Sequence, residues 1–181
     1  MEDQSDACIE ILQRIGVNFV GIDFDQTFIT KHTGGRWAGG AEELATASRP
    51  EFVQLVPKLI NNGIHIAIVT FSGQTHLIEQ VLKISLGADV ASRIVIRARD
   101  KTWGLPSDKN SFRDGKQKFL ASAAEQLERM HSGLTITRSS TLLIDDDQNN
   151  IHVALERGVR ALWFIPEEPE NLMSQIISLP V

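Results

Sequence analysis

Five short stretches of the chain are almost continuously apolar: VNFVGID (17–23), IHIAIVT (64–70), RIVIR (93–97), TLLID (141–145) and Val159 to Ile165. Runs of that length with β-branched residues read as buried strands. Between them the apolar positions recur at helical spacing. Residues 5–15 carry Ala7, Ile9, Ile11, Leu12 and Ile15, with Gly16 as the stop. Ser48-Arg49-Pro50 opens a second helix whose stripe is Phe52, Val53, Val56, Leu59 and Ile60. Pro57 sits inside that stripe and predicts a kink or a split into two short helices. Further helices are predicted for Gln74 to Leu86, Lys116 to His131, Asn149 to Arg157 and about 168–178. Strands alternating with helices imply an α/β fold, a three-layer parallel sheet of about five strands covered on both faces.

Two segments break the rhythm. Residues 28–48 contain ITKHTGGRWAGG, with four glycines at 34, 35, 39 and 40. Residues 99–115 (RDKTWGLPSDKNSFRDG) are polar and interrupted by Gly and Pro, hence a loop. Neither is long enough for a second folded domain, so residues 1–181 are expected to form one domain with a short flap at 28–48. The chain has no repeat and no low-complexity tract.

Composition narrows the picture. Hydrophobic residues make up 42% of the 181 and charged residues 23%, the balance of a globular domain. A net charge of -5 disfavours a broad grip on nucleic acid. Cys8 is the sole cysteine, which excludes an intrachain disulfide and suits a reducing compartment. The acidic start is unlike a secretory signal, and no apolar run approaches the roughly 20 residues that span a bilayer. The expectation is a soluble cytoplasmic protein with no membrane partner.

In parallel sheets, ligands bind beyond the carboxyl ends of the strands. Here those positions hold Asp23-Phe24-Asp25, Thr70-Phe71-Ser72 and Asp145-Asp146-Asp147. If the chain stays extended, Asp23 and Asp25 point the same way. If the first and fourth strands are neighbours, their carboxylates converge. So many like charges need a cation, and a hard divalent ion with oxygen ligands is the simplest remedy; magnesium is the usual companion of phosphate substrates. Singly, each piece has a plainer explanation: Asp-x-Asp as turn chemistry, the Asp triplet as a solvated loop or helix cap, Thr70-Phe71-Ser72 as a strand end, Lys116 as a surface charge. In order along one sheet they are harder to dismiss.

Together these segments resemble the haloacid dehalogenase superfamily at its four motifs. Asp23-Phe24-Asp25-Gln26-Thr27 matches Asp-x-Asp-x-Thr after a strand. Ile66-Ala67-Ile68-Val69-Thr70 matches the strand ending in Thr or Ser, and Lys116 in GKQKFL the lysine at or before a helix; Lys118 is its rival, Lys101 and Lys109 outsiders. Leu142-Leu143-Ile144-Asp145-Asp146 matches the apolar run with two aspartates. The resemblance spans about 17–165 and implies a magnesium-dependent phosphomonoester hydrolase, with Asp23 the nucleophile that becomes an aspartyl-phosphate and Asp25 the general acid and base. Magnesium would be held by Asp23, the Asp25 carbonyl and Asp145, with Asp146 nearby. Lys116 and Thr70 would steady the phosphoryl group, helped by Phe71, Ser72 and Thr27.

The missing cap resembles the near-capless branch typified by magnesium-dependent phosphatases, which also has Asn-Ile shortly after its paired aspartates, here in Asp145-Asp146-Asp147-Gln148-Asn149-Asn150-Ile151. An open site admits bulky phosphorylated substrates such as phosphoproteins. Gln26 and the flap depart from that branch. In the flap, Arg36 can grip a phosphate or carboxylate and Trp37 can stack on a ring, or Trp37 simply covers the core, the reading favoured here; His32 is a further candidate contact. Lys101, Trp103, Lys109 and Arg113 give the second loop a basic and aromatic character. Two alternatives remain open on sequence: a phosphate-binding or protein-interaction module with little turnover, and a phosphotransferase.

Overall fold

The computed structural model describes residues 4–104 and 113–180. Its strands are β1 (Phe19–Ile22), β2 (His65–Val69), β3 (Ile94–Arg97), β4 (Thr141–Asp145) and β5 (Arg160–Trp163). They form one sheet in the order β3-β2-β1-β4-β5, all parallel. The helices are α1 (Gln4–Arg14), α2 (Ala41–Ala45), α3 (Pro50–Asn61), α4 (Thr75–Leu86), α5 (Ala88–Ser92), α6 (Gln117–Met130), α7 (Gln148–Glu156) and α8 (Leu172–Ile177).

The alternation of side chains along each strand builds two cores. Val20, Ile22, Ile66, Ile68, Leu142 and Ile144 face one way, into a core shared with α1, α3, α4 and α8. Phe19, Ala67, Val69, Val95 and Leu143 face the other, toward Phe119, Leu120, Ala123 and Leu127 of α6 and Ala154 of α7. The predicted three-layer α/β architecture is therefore observed. Gly21 belongs to the second face, and a Cβ there would collide with the Leu120 side chain. The glycine lets α6 lie close against β1.

Three local expectations change. Pro50 takes the first helical position, where its missing N–H is harmless. Pro57, however, lies within one continuous α3 rather than dividing it. The stripe of Phe52, Leu55, Val56, Leu59 and Ile60, all buried, holds both halves against the sheet and outweighs one missing hydrogen bond. The flap is not a free loop either. Thr30 N–H donates to Ala47 O (2.8 Å), Arg49 N–H donates to Phe28 O (2.9 Å), and Ile29 bridges Ser48 antiparallel, so its ends are clasped together. Within it, α2 buries Leu44 fully. The last helix is shorter than expected: a 3₁₀ turn (Pro169–Asn171) precedes α8. Part of the loop at 99–115, with Lys109, lies outside the described residues.

Candidate active site

Parallel pairing of β1 with β4 sets Ile22 beside Ile144. One residue on, the Asp23 N–H donates to Ile144 O at 3.0 Å. Asp23 and Asp145 thus leave adjacent strands side by side, and the condition for convergence is met. Carboxylate oxygens of Asp23, Asp145 and Asp146 all lie within 4.8 Å of one another. Asp23 and Asp145 are buried, and Asp146 is half-buried.

Lys116 caps the N-terminus of α6 and reaches back under this cluster. Its Nζ lies 2.5 Å from Asp23 Oδ1 and 3.7 Å from Asp145 Oδ2, and donates to Val69 O at 2.8 Å. Only 1% of it is exposed, a degree of burial that a lysine tolerates only when paired. Lys118 pairs instead with Asp114 at 3.2 Å, so of the two lysines it is Lys116 that meets the cluster. Lys101 is exposed.

Burial, with Asp145 and Asp146 close by, pushes the Asp23 carboxyl well above the usual range even though Lys116 pulls the other way. Asp145 and Asp146 are raised too, chiefly by burial. Burial alone would lower Lys116, but attraction to Asp23 and Asp145 outweighs it and holds the ammonium above its ordinary value. Three carboxylates against one buried cation leave an excess of negative charge, and every converging donor is a carboxylate oxygen. That donor set fits a hard divalent cation.

The other parts are placed as follows. Asp145 accepts from the Asp147 N–H (2.9 Å) and from Asn150 Nδ2 (3.0 Å). Asp147 itself caps α7 by accepting from the Asn149 N–H at 2.8 Å, the capping role expected of it. Asp146 accepts from Thr27 Oγ1 at 3.0 Å, and its carbonyl accepts from the Trp163 indole N–H at 2.9 Å. Thr70 is buried at the end of β2, and its hydroxyl accepts from the Ser72 N–H at 3.1 Å. Phe71 lies beneath Lys116, whose Nζ is 4.4 Å from the ring centroid, and meets Phe119 edge-on. Asp23, Asp25, Thr70, Phe71, Ser72, Lys116, Asp145 and Asp146 all line one cleft of about 370 Å³.

Asp25 departs from the extended-chain expectation. After Asp23 the backbone turns through Phe24–Phe28, and Gln26 takes φ 60°, in the left-handed region. Arg49, itself buried, supports this turn by donating to Gln26 O (3.1 Å) and to Pro166 O (3.1 Å). Asp25 therefore directs its carboxylate to the flap rather than into the converging group. It accepts from the Thr33 N–H (2.8 Å), the Thr33 hydroxyl (2.8 Å) and the Gly34 N–H (2.9 Å), with His32 Nδ1 3.7 Å away.

Three candidate substrate contacts, Thr27, Arg36 and Trp37, do not line the cleft, and for Trp37 this agrees with the core-covering reading favoured from the sequence. Thr27 is fully buried and spends its hydroxyl on Asp146, because the turn at 24–28 carries it beneath the cleft. Trp37 packs against the core, its backbone N–H and carbonyl both bound to the Gln74 side chain (2.7 and 2.9 Å). Arg36 is exposed and does not line the cleft. His32, Gly34 and Gly35 are the flap residues that do. Trp103 donates to Ala98 O and stacks edge-on against Phe119, a packing role. Arg99, Thr33 and Gln74 were not singled out by the sequence, and Asn150 appeared there only within the Asn-Ile pair, with no role. Asn150 had a visible signal in its spacing after Asp145; the others depend on which loops the fold brings together.

No family model matches the sequence, and no curated protein matches it. Solved structures do match in fold. A hypothetical protein from Xanthomonas campestris superposes with a TM-score of 0.53 at 15% identity, covering 98% of this chain and 88% of that one. The N-terminal part of a Bacteroides fragilis protein, containing a phosphatase domain complexed with Mg, gives 0.50 at 19% identity, over 97% of this chain and 43% of that one. The cobalt-bound deoxy-D-mannose-octulosonate 8-phosphate phosphatase from Haemophilus influenzae gives 0.48 at 12%, over 92% and 91%. The chain shares the fold of the Xanthomonas protein and of the Bacteroides segment, and the segments that end in Asp23, Thr70 and Asp145 lie at the carboxyl edge of its sheet. Among the described residues, no helix is long and apolar enough to cross a membrane.

Proposed function

We propose that this chain is a magnesium-dependent phosphomonoester hydrolase that works through an aspartyl-phosphate on Asp23. The observation that carries the reading is the buried cluster of Asp23, Asp145 and Asp146 around a single buried lysine. Such a cluster is costly for a fold to maintain without a ligand to compensate it.

In the first step an Asp23 carboxylate oxygen attacks phosphorus and the bond to the leaving oxygen breaks. Asp25 delivers a proton to that oxygen. In the second step water attacks phosphorus, Asp25 takes the water's proton, and the Asp23–phosphorus bond breaks to release phosphate. Lys116 orients Asp23 and adds positive charge beside the phosphoryl oxygens, while the Thr70 hydroxyl, itself held by the Ser72 N–H, and the Phe71 N–H are the neutral donors. Magnesium, held by the carboxylates of Asp23 and Asp145 and the carbonyl of Asp25 with Asp146 beside it, would neutralise charge on the phosphoryl group. Asn150 and Thr27 hold Asp145 and Asp146 in orientation. The flap donors fix the direction of Asp25.

The test is hydrolysis of para-nitrophenyl phosphate with magnesium, with EDTA, and in Asp23→Asn. Turnover is expected to require the metal and to fall by at least about 10³-fold in the variant. Equal turnover in Asp23→Asn would discard the phosphoenzyme.

A further inference from the structure

The cleft has two chemically different parts. Its floor is the acidic cluster, and Lys116 is engaged there by Asp23, Asp145 and Val69 O. Its outer walls carry two more basic side chains, His32 on the flap and Arg99 on the loop after β3. The backbone of Arg99 is fixed to the motif that ends β2. Thr70 N–H donates to Arg97 O (2.9 Å), and Arg99 N–H donates to Ser72 O (2.9 Å), which continues the β2–β3 ladder into the loops. Close packing reinforces this: a Cβ on Gly73 would lie 3.2 Å from Arg99 O. From the opposite wall Gly35 rests on the same turn, where an added Cβ would lie 3.5 Å from Gly73 N and from Ser72 Cα.

The Arg99 backbone is thus held beside Ser72, and the residue is exposed and lines the cleft. A leaving group without charge would gain nothing from a guanidinium there. A carboxylate or a second phosphate would gain a two-pronged, charge-assisted hydrogen bond. The chain as a whole carries -5, so a guanidinium at the cleft also offsets its general repulsion of anions.

We propose that the cleft selects phosphomonoesters whose leaving group carries a second anionic group, bound by Arg99, which lines the same cleft as the acidic cluster. This rests on the phosphomonoesterase reading above.

The test uses matched four-carbon probes. Butyl phosphate is compared with 4-phosphooxybutanoate and with butane-1,4-diyl bisphosphate for kcat/KM in the presence of magnesium. Butylphosphonate is compared with 4-phosphonobutanoate and butane-1,4-diyl bisphosphonate for binding by calorimetry. A preference of about tenfold or more for at least one doubly anionic probe is expected. The carboxylate and phosphate arms tell which anion is read. Arg99→Gln should bring that ratio to within about twofold of one, and Arg99→Lys should restore part of it, which a merely structural residue would not do. Equal binding of charged and uncharged phosphonates by the wild type, or an unchanged ratio in Arg99→Gln, overturns the proposal. Charge-selective binding without turnover of any ester would instead sink the hydrolase reading and leave the recognition standing.

Discussion

Among the described residues, Lys116 is the cation ion-paired with Asp23 and Asp145, and nearly every local property of the site follows from one lysine facing three converging carboxylates. Removing it in Lys116→Met strands two buried carboxyl groups. The expected cost is about 3–5 kcal/mol in chemical denaturation. Asp145→Asn acts in the opposite sense. Without metal it relieves repulsion and is expected to raise the melting temperature, while abolishing the further rise that magnesium gives the wild type. A carboxylate that served only to pair with Lys116 would be destabilised by the same change, so calorimetry with EDTA and with magnesium separates the two roles. Gln26 is a different kind of residue-scale feature. It is the only described non-glycine residue with positive φ, and it sits within the first motif. Motif spacing alone carries no trace of that conformation, which turns the chain so that Thr27 is buried against Asp146.

At the scale of elements, the strands and most helices were legible because each carries a long, unambiguous apolar rhythm. β4 matches its sequence reading residue for residue, and α6 begins one residue after Lys116. What was not legible is short or formed by contact. α2 has five residues and one fully buried apolar side chain, Leu44, too little for a period to show. The double hydrogen bond between Gln74 and the Trp37 backbone joins segments 37 residues apart, and no local pattern announces it. That bond ties the flap to α4. Gln74→Ala is expected to raise KM several-fold with a smaller change in kcat, and to cost no more than about 1–2 kcal/mol of stability. Steady-state kinetics paired with a urea melt would check both parts. Where α6 crosses β1, Gly21→Ala pushes a methyl group into Leu120 and is expected to destabilise by about 1–3 kcal/mol.

Across the whole molecule, the acidic cluster links stability to pH and to metal. Folding raises the carboxyl groups of Asp23, Asp145 and Asp146 above their unfolded values. Groups shifted that way stabilise the fold while protonated, and the contribution is lost as pH rises through the folded values. In EDTA, stability due to this cluster should therefore decline from the ordinary carboxylate range, near about pH 4, toward neutrality. On the proposed reading magnesium takes the ionised form, so the rise in melting temperature it is expected to produce should grow over the same interval. A metal effect that is flat with pH would mean that the ion binds somewhere else. The sequence foretold this cluster better than any other part of the site, because strand ends in a parallel sheet are fixed by topology. Arg99 and Thr33 were not foretold, because their positions depend on how two loops meet above it.

The clasp at the base of the flap has a bearing on how such a site can change over evolutionary time. Thr30 pairs with Ala47 and Phe28 with Arg49, so the excursion leaves and re-enters the core at almost the same point. The entropy needed to close a loop grows only slowly with its length once its ends are held together. Apart from Thr33 and Gly34, whose donors hold Asp25, the segment between those pairs is in effect an interchangeable cassette. Residues inserted between Lys31 and Gly40 would lengthen the roof without disturbing β1 or α3 at its base. A larger lid, or one with a different charge, could be installed at this port while the acidic floor beneath it stayed as it is.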